Sequence, residues 1–200
     1  MGGRARTRRF ERMLHQFPDF PEMHVVDLGG DVRSWRAACA RPAHVTIVDI
    51  SSDALKDPEP WMTVVQGDAC ERSTISGEFD LVFSNSVIEH LGGPRYRRDF
   101  AEVVHDLAPF HWVQTPYRYF PLEPHFLFPG FQFLPPFAKV RVSSGWPLSA
   151  RHNQRVDHVA YVMDHELLTL TEMSALFPTS ELIHERALGL VKSVIATRSR

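Results

Sequence analysis

The sequence predicts one α/β domain built on a doubly wound sheet and closed by an antiparallel hairpin. Three observations carry this reading. Apolar, β-branched runs alternate with amphipathic runs at helical spacing, and acids or glycines stand at successive strand ends, where an open parallel sheet places its ligand. The third is terminal: Glu181 to Arg186 and Leu190 to Thr197 flank Leu188-Gly189 as a hairpin.

In chain order, Arg9 to Phe17 reads as a short amphipathic helix with Phe10, Met13, Leu14 and Phe17 on one face, stopped by Pro18 and Pro21. His24-Val25-Val26-Asp27-Leu28 is a strand buried on both faces, and Gly29-Gly30 supplies a tight turn that a ligand can approach closely. Asp31 caps a helix carrying Val32, Trp35 and Ala38, ending before Pro42. Val45 to Asp49 is the second strand, with Ser51-Ser52-Asp53 expected to start a helix. Met62 to Gln66 is the third, Phe79 to Ser84 the fourth and Phe110 to Gln114 the fifth, broken by Thr115-Pro116. Tyr96 to Leu107 and Glu166 to Phe177 read as helices.

The proline and aromatic density from Tyr117 to Trp146 excludes a long regular helix, yet its apolar content is too high for a solvated linker. The expected organisation is therefore a single domain over 1–200, with an N-terminal helical arm at 1–22 and a substrate-side insertion at 116–160. Arg151 to His158, within that insertion, is polar and expected to be mobile.

Composition narrows the function. Twenty-two basic against 24 acidic residues give a net charge of −2, so whole-chain charge calls for neither nucleic acid nor a membrane surface. Arg4, Arg6, Arg8 and Arg9 crowd the N-terminus and read as a solvated, frayed end, with a phosphate-seeking arm the alternative. Two cysteines without CxxC spacing fit a reduced, cytoplasmic protein. No apolar run approaches the ~20 residues of a membrane span, and no signal-peptide core follows the arginines.

Asp27 can accept from an ammonium or hydroxyl group at the Gly29-Gly30 turn. About 20 residues on, the spacing expected of a carboxylate that grips a ribose, stands Asp49. Asp68, after the third strand, can accept from an adenine amine.

These residues resemble class I S-adenosylmethionine-dependent methyltransferases, which have a Rossmann-like seven-stranded sheet. The resemblance covers about 23–115 and 165–197. It implies that Asp27, Gly29 and Gly30 hold the methionine portion, that Asp49 with Ile50 holds the ribose side, and that Asp68 and Ala69 face the adenine; Asn85 completes the cofactor set. The closer resemblance is to the bacterial type 11 subgroup, carried by Ser84-Asn85-Ser86-Val87-Ile88-Glu89-His90, Gln114 to Pro121, Glu123 to Pro129 and Gly189 to Ser193. Gly29-Gly30-Asp31-Val32-Arg33 departs from the family by lacking the third glycine of its usual turn.

Methyl transfer from a sulfonium needs alignment and exclusion of water, and a hydroxyl acceptor must also lose its proton. His90 and His125 are the candidate general bases, with Glu89 able to orient His90. Tyr117, Arg118 and Glu123 are candidate acceptor contacts, and Tyr119 is as readily a core residue. Glu89 and His90, with Glu123 or Asp157, form an alternative ligand set for a hard cation; similar Glu-His pairs bind magnesium in some quinone methyltransferases. His105, His111 and His158 have no spacing that requires a shared metal.

The expected activity is O-methylation of a small hydroxyl-bearing molecule, a saccharide or glycan precursor, with S-adenosylmethionine as cofactor and magnesium an open possibility. A phenol, quinone or lipid acceptor, and a non-catalytic cofactor-binding module, are the alternatives. Neither nucleic acid nor stable membrane insertion is expected, and a homodimer stays open.

Overall fold

The computed structural model describes residues 2–148 and 157–199. Seven strands form one sheet in the order β3-β2-β1-β4-β5-β9-β8. The first five, β1 (His24–Leu28), β2 (His44–Asp49), β3 (Met62–Gln66), β4 (Leu81–Asn85) and β5 (Phe110–Pro116), are parallel. The last two, β8 (Glu181–Ala187) and β9 (Leu190–Arg198), form the predicted hairpin, with β9 antiparallel to β5. Strand order reverses between β1 and β4, so the crevice for a ligand opens at their carboxyl ends. Asp27 sits in that register opposite Ile47 and Phe83.

Each face of the sheet is covered, which explains the continuous apolar runs of its central strands. On one face, α1 (Gly2–Gln16), the segment that follows it and α2 (Val32–Arg36) bury Met13, Phe17, Phe20 and Trp35 against Val25, Ile47 and Trp112. On the other, α3 (Pro94–Leu107) and α6 (Leu170–Leu176) bury Phe100, Val104 and Met173 against Val26, Val82 and Val113. α3 begins with Pro94 at its first turn, where a missing N–H costs nothing.

The insertion forms its own small core. β6 (Leu122–Glu123) and β7 (Phe128–Pro129) make a two-stranded ribbon, followed by α4 (Pro136–Gly145) and α5 (His158–Met163). Phe126 and Phe131 stack with ring centroids 3.7 Å apart, and Val140, Val142, Tyr161 and Val162 surround them.

Several local expectations are corrected. The first helix is longer than its apolar stripe, and no helix starts at Ser51: turns run to Asp57, in a left-handed conformation before Pro58 and Pro60. α2 stops at Arg36, well before Pro42. β5 runs on through Thr115-Pro116, because β9 pairs with both. The insertion does hold a ten-residue helix, α4, since its prolines stand before and at the start and after the end. Of Glu166 to Phe177 only α6 is helical: Leu168 bridges Tyr117, and Thr169 and Glu172 form a reciprocal cap that begins the helix there. Most of the polar stretch 151–158 lies outside the described residues.

Candidate active site

Asp27 and the two glycines form one interlocked unit. The Asp27 carboxylate is 3% exposed and accepts from Trp35 Nε1 at 2.7 Å. Burial pushes its carboxyl up to about 7, against the opposing pull of the Trp35 bond. A β-carbon at Gly30 would lie 1.7 Å from Asp27 Oδ2. Gly29, at φ +75°, leaves no room for one either, because Val87 Cγ2 would be 2.4 Å away. Where the third glycine of the family turn is absent, Asp31 instead caps α2, accepting from Ser34 N at 2.8 Å.

A cavity of about 320 Å³ opens in front of this turn. Trp35, Phe83 and Phe10 form one wall, with Asp27, Gly29, Gly30 and Asn85 at its base. The size falls within the range of small-molecule sites. Asp49, at the end of β2, holds Ser51 N through Oδ1 at 2.7 Å, and its neighbour Ile50 is 73% exposed. Asp68 holds Cys70 N at 2.8 Å and is exposed, while Ala69 is buried.

Arg9 corrects the reading of the basic N-terminus as a solvated end. From α1 it donates to Asn85 Oδ1 at 2.5 Å and Gln114 Oε1 at 2.7 Å, and pairs with Glu185 at 2.7 Å. One guanidinium thus ties the first helix to β4, β5 and β8 across the mouth of the cavity. The side chains of Arg4 and Arg6 lie outside the described residues.

The carboxyl end of β4 then turns sharply. Ser86 has φ +61°, a strained conformation for a residue with a side chain, held by Ser86 N to Gln114 O at 2.9 Å. The single 3-10 turn Ile88–His90 follows, with His90 N donating to Val87 O. Because Val87 packs on Gly29, His90 lies one turn from the glycine pair.

Here three histidines meet. The His90 ring centroid is 4.9 Å from that of His125 and 4.3 Å from that of His165, with 4.8 Å between the latter two. Glu123, 3% exposed, accepts from His125 Nδ1 at 2.7 Å and from the backbone N–H groups of His125 and Phe126 at 2.7 Å each. His165 Nδ1 lies 2.5 Å from Tyr161 O. Glu89, fully buried, accepts from Thr115 Oγ1 at 2.9 Å through Oε2, whereas its Oε1 has no hydrogen-bond partner among the described residues.

Burial, with His165 and His125 alongside, holds His90 down to about 3, and burial with His125 holds His165 down to about 4. Burial lowers His125 also, but the hydrogen bond and charge of Glu123 outweigh it and raise the ring above its ordinary value. Burial lifts Glu89 to about 7. The cluster therefore presents neutral imidazoles beside one imidazole held by a carboxylate.

Of the candidate acceptor contacts, Tyr117 packs edge-on to Tyr119 at 5.6 Å, and Arg118 lies 3.9 Å from Glu166. Asp157 caps α5 through Val159 N and Ala160 N and stands apart from the histidine cluster. His165 and Arg9 were missed from sequence. Nothing in the spacing of His165 distinguishes it from other histidines, and it is fixed by long-range contacts: Glu166 N donates to Glu89 O at 3.0 Å, and the buried Arg97 holds Glu166 at 2.9 Å.

Residues 26–116 match the type 11 family model for a methyltransferase domain. This match and the shared fold support a class I S-adenosylmethionine-dependent methyltransferase of the type 11 group. The fold agrees along nearly the whole chain. The methyltransferase domain of bacterial CtHen1 is 14% identical with a TM-score of 0.61, over 98% of this chain and 99% of that one. The N-methyltransferase NodS from Bradyrhizobium japonicum WM9 is 10% identical, TM-score 0.58, over 98% and 96%. Magnesium protoporphyrin IX methyltransferase from Synechocystis PCC 6803, with bound S-adenosylmethionine, is 13% identical, TM-score 0.52, over 98% and 80%. At such identities the likeness is one of fold. Comparison with curated proteins found no match in sequence. Among the described residues no helix is long and apolar enough to cross a membrane.

Proposed function

We propose that this S-adenosylmethionine-dependent methyltransferase O-methylates a small hydroxyl-bearing molecule, a saccharide or glycan precursor. The observation that carries the reading is the Glu123–His125 pair at 2.7 Å, set against His90 one turn from the glycine pair. A buried carboxylate on Nδ1 leaves Nε2 facing away from it, the arrangement in which an imidazole can take a proton from a hydroxyl.

In this reading Asp27, Gly29, Gly30 and Asn85 receive the methionine portion in the cavity. Asp49 accepts from the ribose hydroxyls, and Ile50, Asp68 and Ala69 border the adenine. The acceptor enters over the ends of β4 and β5, between the insertion and the histidines. Its oxygen attacks the sulfonium methyl as its proton passes to His125 Nε2; a C–O bond forms, the C–S bond breaks, and S-adenosylhomocysteine leaves. Tyr117 and Arg118 contact the acceptor, whereas the oxygens of Glu123 are already committed to His125 and the backbone, so Glu123 acts by positioning. The two free cysteines fit a reducing, cytoplasmic setting.

A second reading, an acceptor that is a phenol, quinone or lipid, is favoured by apolar exposure on the insertion: Tyr119 is 56%, Phe133 57% and Phe137 77% exposed, and Tyr119 stacks on Phe133 at 5.9 Å. Transfer of a labelled methyl group to panels of saccharides, phenols, lipids and amines separates the two. Base-stable label in a saccharide is the expected result. Label confined to phenols or lipids selects the second reading, and label in amines alone contradicts both. Absence of transfer with cofactor still bound would leave a binding module or an acceptor outside the panels.

A further inference from the structure

We propose that His90, His125 and His165 bind one divalent cation of the zinc class, with the fourth position open. One nitrogen from each ring already lies within 4.8 Å of the other two. Tetrahedral coordination at ~2.0–2.1 Å places ligand nitrogens about 3.4 Å apart. Small side-chain rotations close that gap.

Three further features of the cluster suit a metal rather than a packed core. His125 Nδ1 is held by a buried carboxylate and His165 Nδ1 by a backbone carbonyl, leaving Nε2 of both rings for a ligand. Such partners fix the tautomer and aim the ring at a metal. The rings also meet edge to face, at 74–83°, without stacking. Finally, Glu89 Oε1 is buried without a hydrogen-bond partner among the described residues and lies 4.0 Å from His90 Nε2. A buried carboxylate oxygen left unpaired is costly, and a cation beside it removes that cost.

The donor set selects the ion. Three imidazoles suit zinc and its transition-metal neighbours, whereas magnesium prefers octahedral oxygen donors. The expected hard-cation set is therefore replaced: Glu123 stands behind His125 instead of facing a metal, and Asp157 is a helix cap.

The three histidines come from the turn after β4, the loop between β6 and β7, and the segment after α5. A cation there would fasten the insertion to the carboxyl edge of the sheet. It would also take the lone pair that His125 offers as a base, so the metal-loaded cluster would instead hold the acceptor oxygen and lower the pKa of its hydroxyl, whose proton would leave to solvent. That consequence, unlike the site itself, rests on the acceptor reading above.

The test loads tag-free full-length protein with zinc, desalts it, measures metal by plasma mass spectrometry and titrates the same sample with S-adenosylhomocysteine. One zinc per chain is expected, retained against excess magnesium. Glu123→Gln, which keeps acceptor capacity toward the backbone, should weaken zinc binding about 10–100-fold. His165→Ala should abolish stoichiometric retention. Wild-type protein that retains no zinc, or a His165→Ala variant that retains it fully, would overturn the site. S-adenosylhomocysteine binding without zinc would remove the metal site alone. Zinc retained without S-adenosylhomocysteine binding would leave the site standing and contradict the cofactor reading.

Discussion

Gly30→Ala should abolish measurable binding of S-adenosylhomocysteine and lower the melting temperature. The added β-carbon would be placed 1.7 Å from Asp27 Oδ2, which is no flexible surface tip but a buried carboxylate held by Trp35. Either Asp27 leaves its rotamer and strands the indole N–H, or the turn shifts. Overpacking of this kind costs about 1–3 kcal/mol, and the stranded donor adds about 1–3 kcal/mol more. For a chain of 200 residues, each kcal/mol moves the midpoint by roughly 2–4 °C. Scanning calorimetry and ligand titration read the two effects, and a variant with wild-type affinity and midpoint would show that the turn tolerates what its geometry forbids.

His125→Asn should cost about 10²–10⁴-fold in kcat, the usual contribution of a positioned proton-transfer group. The asparagine amide can still donate to Glu123, so that the buried carboxylate keeps a partner and the fold survives. Affinity for S-adenosylhomocysteine should change little, because none of His90, His125 and His165 lines the Gly29-Gly30 cavity. The decrease in kcat is expected whether Nε2 takes the proton or holds a cation, and zinc content distinguishes those cases. Wild-type kcat in His125→Asn would remove the histidine cluster from the reaction.

The parts of this arrangement that were legible in the sequence are local. Val25, Val26 and Leu28 must be apolar because helices cover both faces of the sheet. The acid and glycines that follow are restricted to few residue types by turn geometry and close approach. The hairpin announced itself by its turn, and α1 by Phe10, Met13 and Phe17, the last two nearly inaccessible in the core.

What was illegible is set by distant partners. Arg9 is one of a run of arginines until Asn85, Gln114 and Glu185 converge on it, 76 to 176 positions away. His165 joins the cluster only because Arg97, Glu89 and Tyr117 hold the segment from Glu166 to Leu168 extended, against the helical reading of those residues. The helix expected at Ser51 had a start signal, but its stop came within a turn.

The central claim, a cofactor pocket at the β1–β4 switch point with Asp49 on the ribose, is tested most directly by calorimetric titration with S-adenosylhomocysteine. Wild-type protein should bind, and Asp49→Ala should lose about 1–3 kcal/mol, the scale of a charged hydrogen bond. Wild-type affinity should also rise from pH 6 to pH 8. In the free protein Asp27 is lifted to about 7, and only its ionised form pairs with the ligand ammonium. No binding by the wild type, or equal affinity in Asp49→Ala, would contradict the account.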